Sequence, residues 1–260
     1  MTGESPATAW VRGFRAAPDA PHRLVCFPYA GGTAKYFLPY ARSLATHSEV
    51  LAVQYPGRQE RRDEPPIDDL DELTRLVADA LLPLTDRPVT FFGHSMGAAL
   101  AFEVARVLED KGVVLSGLFV SGRRAPSRHR VERTHLLDDQ LLLGSVRALA
   151  GANARLPGFD AFARGALPLI RADYRAAETY RYVPGPPLVC PVVALTGDAD
   201  PLASVEEVAS WRAHTTGPFE LRVFTGGHFF LDEHRAGVVE VLDDHVTGAA
   251  KEVARRSPAL

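Results

Sequence analysis

Short apolar runs alternate with longer segments of helical period along most of the chain. Arg23-Leu24-Val25-Cys26-Phe27, Val50-Leu51-Ala52-Val53-Gln54, Pro88-Val89-Thr90-Phe91-Phe92, Val113 to Val120, Pro191 to Thr196 and Phe219 to Phe224 read as strands. Helical patterns lie between them: Ala34 to His47, Asp68 to Leu84, a helix opening near Ala98, and Ser204 to His214. The alternation predicts the α/β class, a mostly parallel sheet with helices on both faces. The stretch from Arg123 to Pro187 breaks the rhythm and reads as an insertion. It holds an amphipathic pattern around Leu136 to Ala150, a glycine and proline break at Gly151 to Gly158, and a second pattern from Phe159 to Tyr180. Leu141, Leu142, Leu143, Val146 and Leu149 form one apolar surface, and Phe159, Phe162, Leu167, Ile170 and Tyr174 another, which suits packing onto the core. Met1 to about Pro18 and the tail after Lys251 read as loose ends.

The turn after the run ending at Phe92 carries chemistry. Gly93-His94-Ser95-Met96-Gly97 follows a strand and opens a helix, the setting in which G-x-S-x-G forms a nucleophile elbow and lifts the serine oxygen above the sheet edge. A side chain at Gly93 or Gly97 would collide where strand and helix pass closest. Ser95 is the expected nucleophile, and it needs a base oriented by an acid. Gly197-Asp198-Ala199-Asp200-Pro201 follows the run ending at Thr196, at the sheet edge where functional groups gather. Asp198 and Asp200 compete there. The G-x-x-D-P spacing carries Asp200 further over the edge, so Asp200 is the expected acid, and the other carboxylate then caps local N–H groups.

The last run leads into Thr225-Gly226-Gly227-His228-Phe229-Phe230-Leu231, which offers His228 as base with Phe229 and Phe230 anchoring the loop. The chain has nine histidines, and position in the order decides among them. His94 is expected to point away from Ser95, while His22, His47, His129, His135, His214, His234 and His245 have flanks that suit helix ends or exposed loops. The order Ser, Asp, His is that of the α/β-hydrolases. Acyl transfer through such a site also needs backbone donors for an oxyanion. Met96, directly after the nucleophile, supplies one N–H. Ala30, in the loop Pro28-Tyr29-Ala30-Gly31-Gly32-Thr33, is the expected second; a plain turn is the competing account of its glycine pair.

Composition narrows the picture. With 260 residues and 46% hydrophobic content the chain can bury one sizeable core, and it reads as a single domain, 1–260, with the insertion 123–187 inside it. A net charge of -3 gives no support for nucleic-acid binding. Arg123, Arg124, Arg128, Arg130 and Arg133 cluster around Glu132, either as a solvated loop or as a docking patch for an acidic partner. Arg61 and Arg62 read as surface groups. Cys26 and Cys190 fall in or beside buried strands and make no disulfide framework, which points inside the cell. The first residues lack a secretory pattern, and no apolar run approaches the roughly 18 residues of a membrane span. No metal or cofactor motif stands out, so the expectation is a cytoplasmic protein with no cofactor, no membrane and no nucleic acid.

Taken together, Phe27-Pro28-Tyr29-Ala30-Gly31-Gly32, Tyr55-Pro56-Gly57-Arg58, Phe92 to Gly97, Gly197 to Pro201 and Gly227-His228-Phe229-Phe230-Leu231 resemble the stand-alone type II thioesterases of polyketide and nonribosomal peptide synthetases. The resemblance implies an α/β-hydrolase fold, an insertion that lids an acyl chamber, and hydrolysis of acyl groups from the phosphopantetheine thiol of a carrier protein. Ser95, Asp200 and His228 would be its triad. Tyr55 to Arg58 has no catalytic logic of its own and reads as a Pro-Gly turn after the second strand. A general carboxylesterase or lipase, a non-catalytic hydrolase-like scaffold, and acyl transfer to an amine or alcohol are the alternatives.

Overall fold

Alternate residues of single strands feed two different apolar clusters. Val25 and Phe27 join one while Leu24 and Cys26 join the other, and Leu51 and Val53 against Val50 and Ala52, or Phe91 against Phe92, repeat the division. Helices therefore cover both faces of the sheet, which is why its strands read as continuous apolar runs. The computed structural model describes residues 9–256 apart from 16, 18, 45, 47 and 156. Strands β1 Val11–Gly13, β2 Arg23–Phe27, β3 Glu49–Val53, β4 Val89–His94, β5 Gly117–Ser121, β6 Val192–Gly197 and β7 Phe219–Phe224 form one seven-stranded sheet in the order β1-β3-β2-β4-β5-β6-β7. Among the described residues only the β1–β3 pair is antiparallel. Register aligns the carboxyl ends, with Phe27 opposite Gly93, His94 opposite Ser121 and Gly197 opposite Phe224. This is the α/β-hydrolase architecture expected from the sequence.

Helices α1 Leu38–Leu44, α2 Leu70–Leu81, α3 Met96–Asp110, α4 Asp139–Ala150, α5 Phe159–Thr179, α6 Val205–Ala209, α7 Phe230–Glu233 and α8 Arg235–Arg256 complete the regular structure. The clusters put α2, α3 and α6 on one face and α1, α7 and α8 on the other. Local chemistry sets several boundaries. Asp69 accepts the Glu72 N–H before α2, Asp138 accepts the Leu141 N–H before α4, and Ser204 with Glu207 closes a capping box before α6. Helix α4 packs on α5 through Leu142, Leu167 and Ile170.

Several expectations need correction. The strand expected from Val113 begins at Gly117, and the helix expected from Ala34 opens with a 3-10 turn, Ala34–Phe37, before α1; Ala45 and His47 lie outside the described residues. Ser204 to His214 divides into α6 and a second 3-10 turn, Ser210–His214. Part of the supposed amino-terminal arm is ordered into β1, because Trp10 carbonyl accepts the Gln54 N–H (2.8 Å) and the Trp10 ring lies 4.1 Å beneath the Arg61 guanidinium. Residues 1–8 lie outside the described residues. At the other end α8 continues through Arg256, so the tail after Lys251 is helical that far. Arg61 is buried rather than on the surface, paired with Glu64 and donating to the Gln54 carbonyl, while Arg62 is exposed. His22 and His214 are buried too, hydrogen-bonded to the Thr90 and Ser127 hydroxyls. Their flanks are polar, but their rings face the packing. On α4, Leu141 is 57% exposed and leaves the apolar face to Leu142.

Candidate active site

Strand β4 and helix α3 meet at Ser95 without an intervening loop. Ser95 has φ 55° and ψ -118°, a left-handed backbone that a serine adopts only under constraint from its surroundings. The constraint is visible on both sides. A Cβ on Gly93 would lie 2.3 Å from the Gly97 carbonyl oxygen, and one on Gly97 would lie 2.1 Å from the Phe27 carbonyl oxygen. The glycines thus admit a three-way crossing of β4, α3 and β2, one strand more than the sequence argument supposed. Ser95 N–H donates to the Ser121 carbonyl (2.8 Å), tying the elbow to the end of β5.

The two competing carboxylates separate cleanly. Asp198 is exposed and accepts the Gly226 N–H at 2.9 Å, the capping role foreseen for the loser. Asp200 turns inward, accepting the Leu202 N–H on Oδ1 (2.9 Å) and meeting His228 Nδ1 on Oδ2 (2.9 Å). A carboxylate only accepts, so Nδ1 of His228 carries the proton and Nε2 is the basic nitrogen. Both groups are buried. Phe230 anchors the loop by stacking on Phe224 at 5.3 Å; Phe229 instead packs edge-on to Tyr29.

Ser95 and His228 reach one cavity of about 160 Å³. Tyr29, Ala30, Gly31 and Phe229 wall it on the sheet side; Val146 and Leu149 from α4, and Phe159, Ala163, Ile170 and Tyr174 from α5, wall it on the other. Ser95 Oγ has no hydrogen bond to His228 among the described residues, the loose geometry common in sites without substrate. A neighbouring recess is bounded by Ala30, Ser95 and Met96 together, so both expected oxyanion donors border the serine. The Phe162 side chain lies outside the described residues. The wall is chiefly apolar, suited to a hydrocarbon chain.

His94 is buried beside His228. Its ring lies 4.9 Å from that of His228, edge-on to Tyr29, with Nδ1 3.0 Å from the Ser121 hydroxyl. Burial, then the neighbouring His228 charge, holds its pKa well below 6.5, so it stays neutral and is no rival base. It is a packing floor for His228. Sequence reasoning also missed Arg58 and Asp173, whose side chains form a bidentate pair beside the Ala30 loop at 2.8 Å for each bond. The Tyr55 to Arg58 block was the available signal, but its partner lies 115 residues away in an insertion.

Most of the arginine cluster has internal partners. Arg124 pairs with Glu132 and donates to the Leu202 carbonyl, Arg130 forms a fork on Glu207, Arg128 reaches the Ser210 hydroxyl and Arg123 the Ala177 carbonyl. The linker from β5 to α4 is thereby tied to α5, α6 and the loop after β6, while its central residues from Ser127 to Val131 are exposed. Both cysteines are free and buried, and among the described residues no helix is long and apolar enough to cross a membrane.

Residues 22–246 match the Thioesterase domain family. The chain is 50% identical over 233 residues to "Probable cadicidin biosynthesis thioesterase" of Streptomyces griseus, a match covering 90% of this chain and 64% of that protein's length. It is 47% identical over 239 residues to "Thioesterase PikA5" of Streptomyces venezuelae, covering 91% of this chain and 85% of the relative. Among solved structures, the type II thioesterase BorB from the borrelidin biosynthetic cluster superposes with a TM-score of 0.88 at 48% identity, covering 92% of this chain and 98% of that one.

Proposed function

The chain belongs to the thioesterase domain family, and we propose that it is a serine thioesterase releasing acyl groups from the phosphopantetheine arm of a polyketide or nonribosomal peptide carrier protein. Similarity to PikA5 and BorB supports the class of substrate. The observation that carries the chemistry is a single cavity reached both by Ser95, on its positive-φ turn, and by His228, hydrogen-bonded to Asp200.

In this reading His228 Nε2 takes the Ser95 hydroxyl proton as Oγ attacks the thioester carbonyl. The carbonyl oxygen becomes an oxyanion held by the N–H groups of Ala30 and Met96. Collapse breaks the C–S bond, the departing sulfur takes up the proton held on His228 Nε2, and the serine is left acylated beside a neutral imidazole. A thiolate needs little protonation to leave, so the step asks less of the general acid than amide cleavage would. Water then gives a proton to His228 and its hydroxide to the acyl carbon, and the carboxylic acid departs with Ser95 restored. Asp200 accepts from Nδ1–H throughout and steadies the imidazolium. Helices α4 and α5, within the insertion 123–187, act as the lid over the acyl chain.

The test compares release of one short acyl group from an acyl-phosphopantetheinyl carrier protein and from a small free thioester, with Ser95→Ala as control. The expected result is Ser95-dependent release with kcat/KM at least about tenfold higher on the carrier. Equal rates on both would make the protein a general esterase. No release would point to a scaffold, or to a transferase lacking its acceptor.

A further inference from the structure

The Tyr55 to Arg58 block has no part in the chemistry above, yet its side chains converge on the loop that holds Ala30. Tyr55 hydroxyl donates to the Pro28 carbonyl (3.1 Å) and its ring lies 5.0 Å below the Arg58 guanidinium. Arg58 Nη1 donates to the Gly32 carbonyl (3.0 Å), and Nη1 and Nη2 together fork onto Asp173 of α5. Asp173 Oδ2 in turn accepts the Gly31 N–H at 2.6 Å. Arg58 and Asp173 side chains are only 3% and 1% exposed. Burying two charges is expensive unless their geometry is exacting, so such a pair is a poor device for mere cohesion.

We propose that Arg58 and Asp173 are positioning residues, a buried brace through which α5 sets the oxyanion loop for attack on the acyl carbonyl; this rests on reading Ala30 as an oxyanion donor. The Gly32 N–H is held by the Tyr29 carbonyl and the Gly31 N–H by Asp173, and no hydrogen bond engages the Ala30 N–H among the described residues. Fixing the peptides on either side of Ala30 fixes the direction of its N–H without reorganisation when charge develops. The contact is also steric. Gly31 adopts φ +78°, and a Cβ there would lie 2.8 Å from Ile170, one helical turn before Asp173 on the same face of α5. The helix that walls the acyl cavity therefore also orients the donor. If α5 swings outward to admit or release a chain, the loop loses the Asp173 acceptor, so a parted lid has a slack oxyanion hole.

The experiment uses the full chain carrying Asp173→Asn, Arg58→Gln or both, each assayed well below its own Tm. Single-turnover acylation by a short-chain p-nitrophenyl ester is measured beside KM and the inhibition constant of an alkyl trifluoromethyl ketone, whose serine adduct carries an oxyanion. Each single variant should lose about 10- to 100-fold in acylation and in ketone affinity alike, with KM moved by less than about threefold. The double variant should fall no further than the weaker single, because both act through one contact set. Where a lone buried charge unfolds a single variant, the double variant, which leaves none, carries the measurement. Native acylation in folded Asp173→Asn or in the double variant overturns the brace, as does a loss confined to KM or Tm with ketone binding intact. Residual turnover by Ser95→Ala would instead sink the reading of the site itself.

Discussion

Asp198 and Asp200 stand one residue apart at the end of β6, and their environments assign them opposite work. Asp198 faces water and holds a turn; Asp200 is buried and holds His228. Asp200→Asn is expected to keep the fold while reducing kcat about 10³- to 10⁴-fold, because the wrong imidazole tautomer is stabilised. Asp198→Asn should change kcat by less than about threefold, since an amide oxygen still accepts the Gly226 N–H. Thioester hydrolysis by the two variants decides the matter, and the reverse order would make Asp198 the acid. The G-x-x-D-P spacing singles out Asp200, the carboxylate that meets His228. His94 was not legible in the same way: its place in the motif says which strand it ends, while its contact with His228 depends on a loop arriving from 134 residues later in the chain.

At the scale of elements, the insertion is the least deeply anchored part. Its own cluster rests on Leu142, Leu167 and Ile170, far fewer buried side chains than either cluster on the sheet. Leu142 is fully buried, and Leu142→Ala is expected to destabilise the α4–α5 contact by about 2–4 kcal/mol. The loss should be local. Amide exchange ought to speed up in α4 and the first turns of α5 before it changes in β4 or β5, consistent with sub-global opening. Uniform acceleration across the sheet would show that the insertion opens only with the whole fold. Helical period and the glycine and proline break located α4 and α5 to within a few residues, since both signals are local. Which residues face the cavity was less legible, because Leu141 fits the apolar pattern and yet points to solvent.

For the whole molecule, buried histidines set the response to acid. His22 is held from its ordinary 6.5 down to about 4, chiefly by burial and then by the His245 charge, and His94, His214 and His245 are lowered as well, each chiefly by burial. The folded state resists protonating these rings, whereas the unfolded chain takes up protons below about pH 6.5. Protonation thus favours unfolding: the His22 contribution is intact above about 6.5 and is lost as pH falls toward 4. Tm should drop steadily across that window, and His22→Asn should flatten the slope. A Tm independent of pH from 6.5 to 4 would contradict the assignment.

The sequence by itself determined strands β2 to β7, the elbow turn at Ser95, the chain order of Ser95, Asp200 and His228, and the glycines that let β4 and α3 cross. Each follows from neighbours within a few residues, through side-chain period, backbone sterics or turn chemistry. Only the tertiary structure decided that His22 is buried, that His94 packs against His228, and that Arg58 meets Asp173 across 115 residues of chain. Contacts of that range arise where separate elements converge at the carboxyl edge of the sheet, and no local propensity encodes which charge will find which partner there.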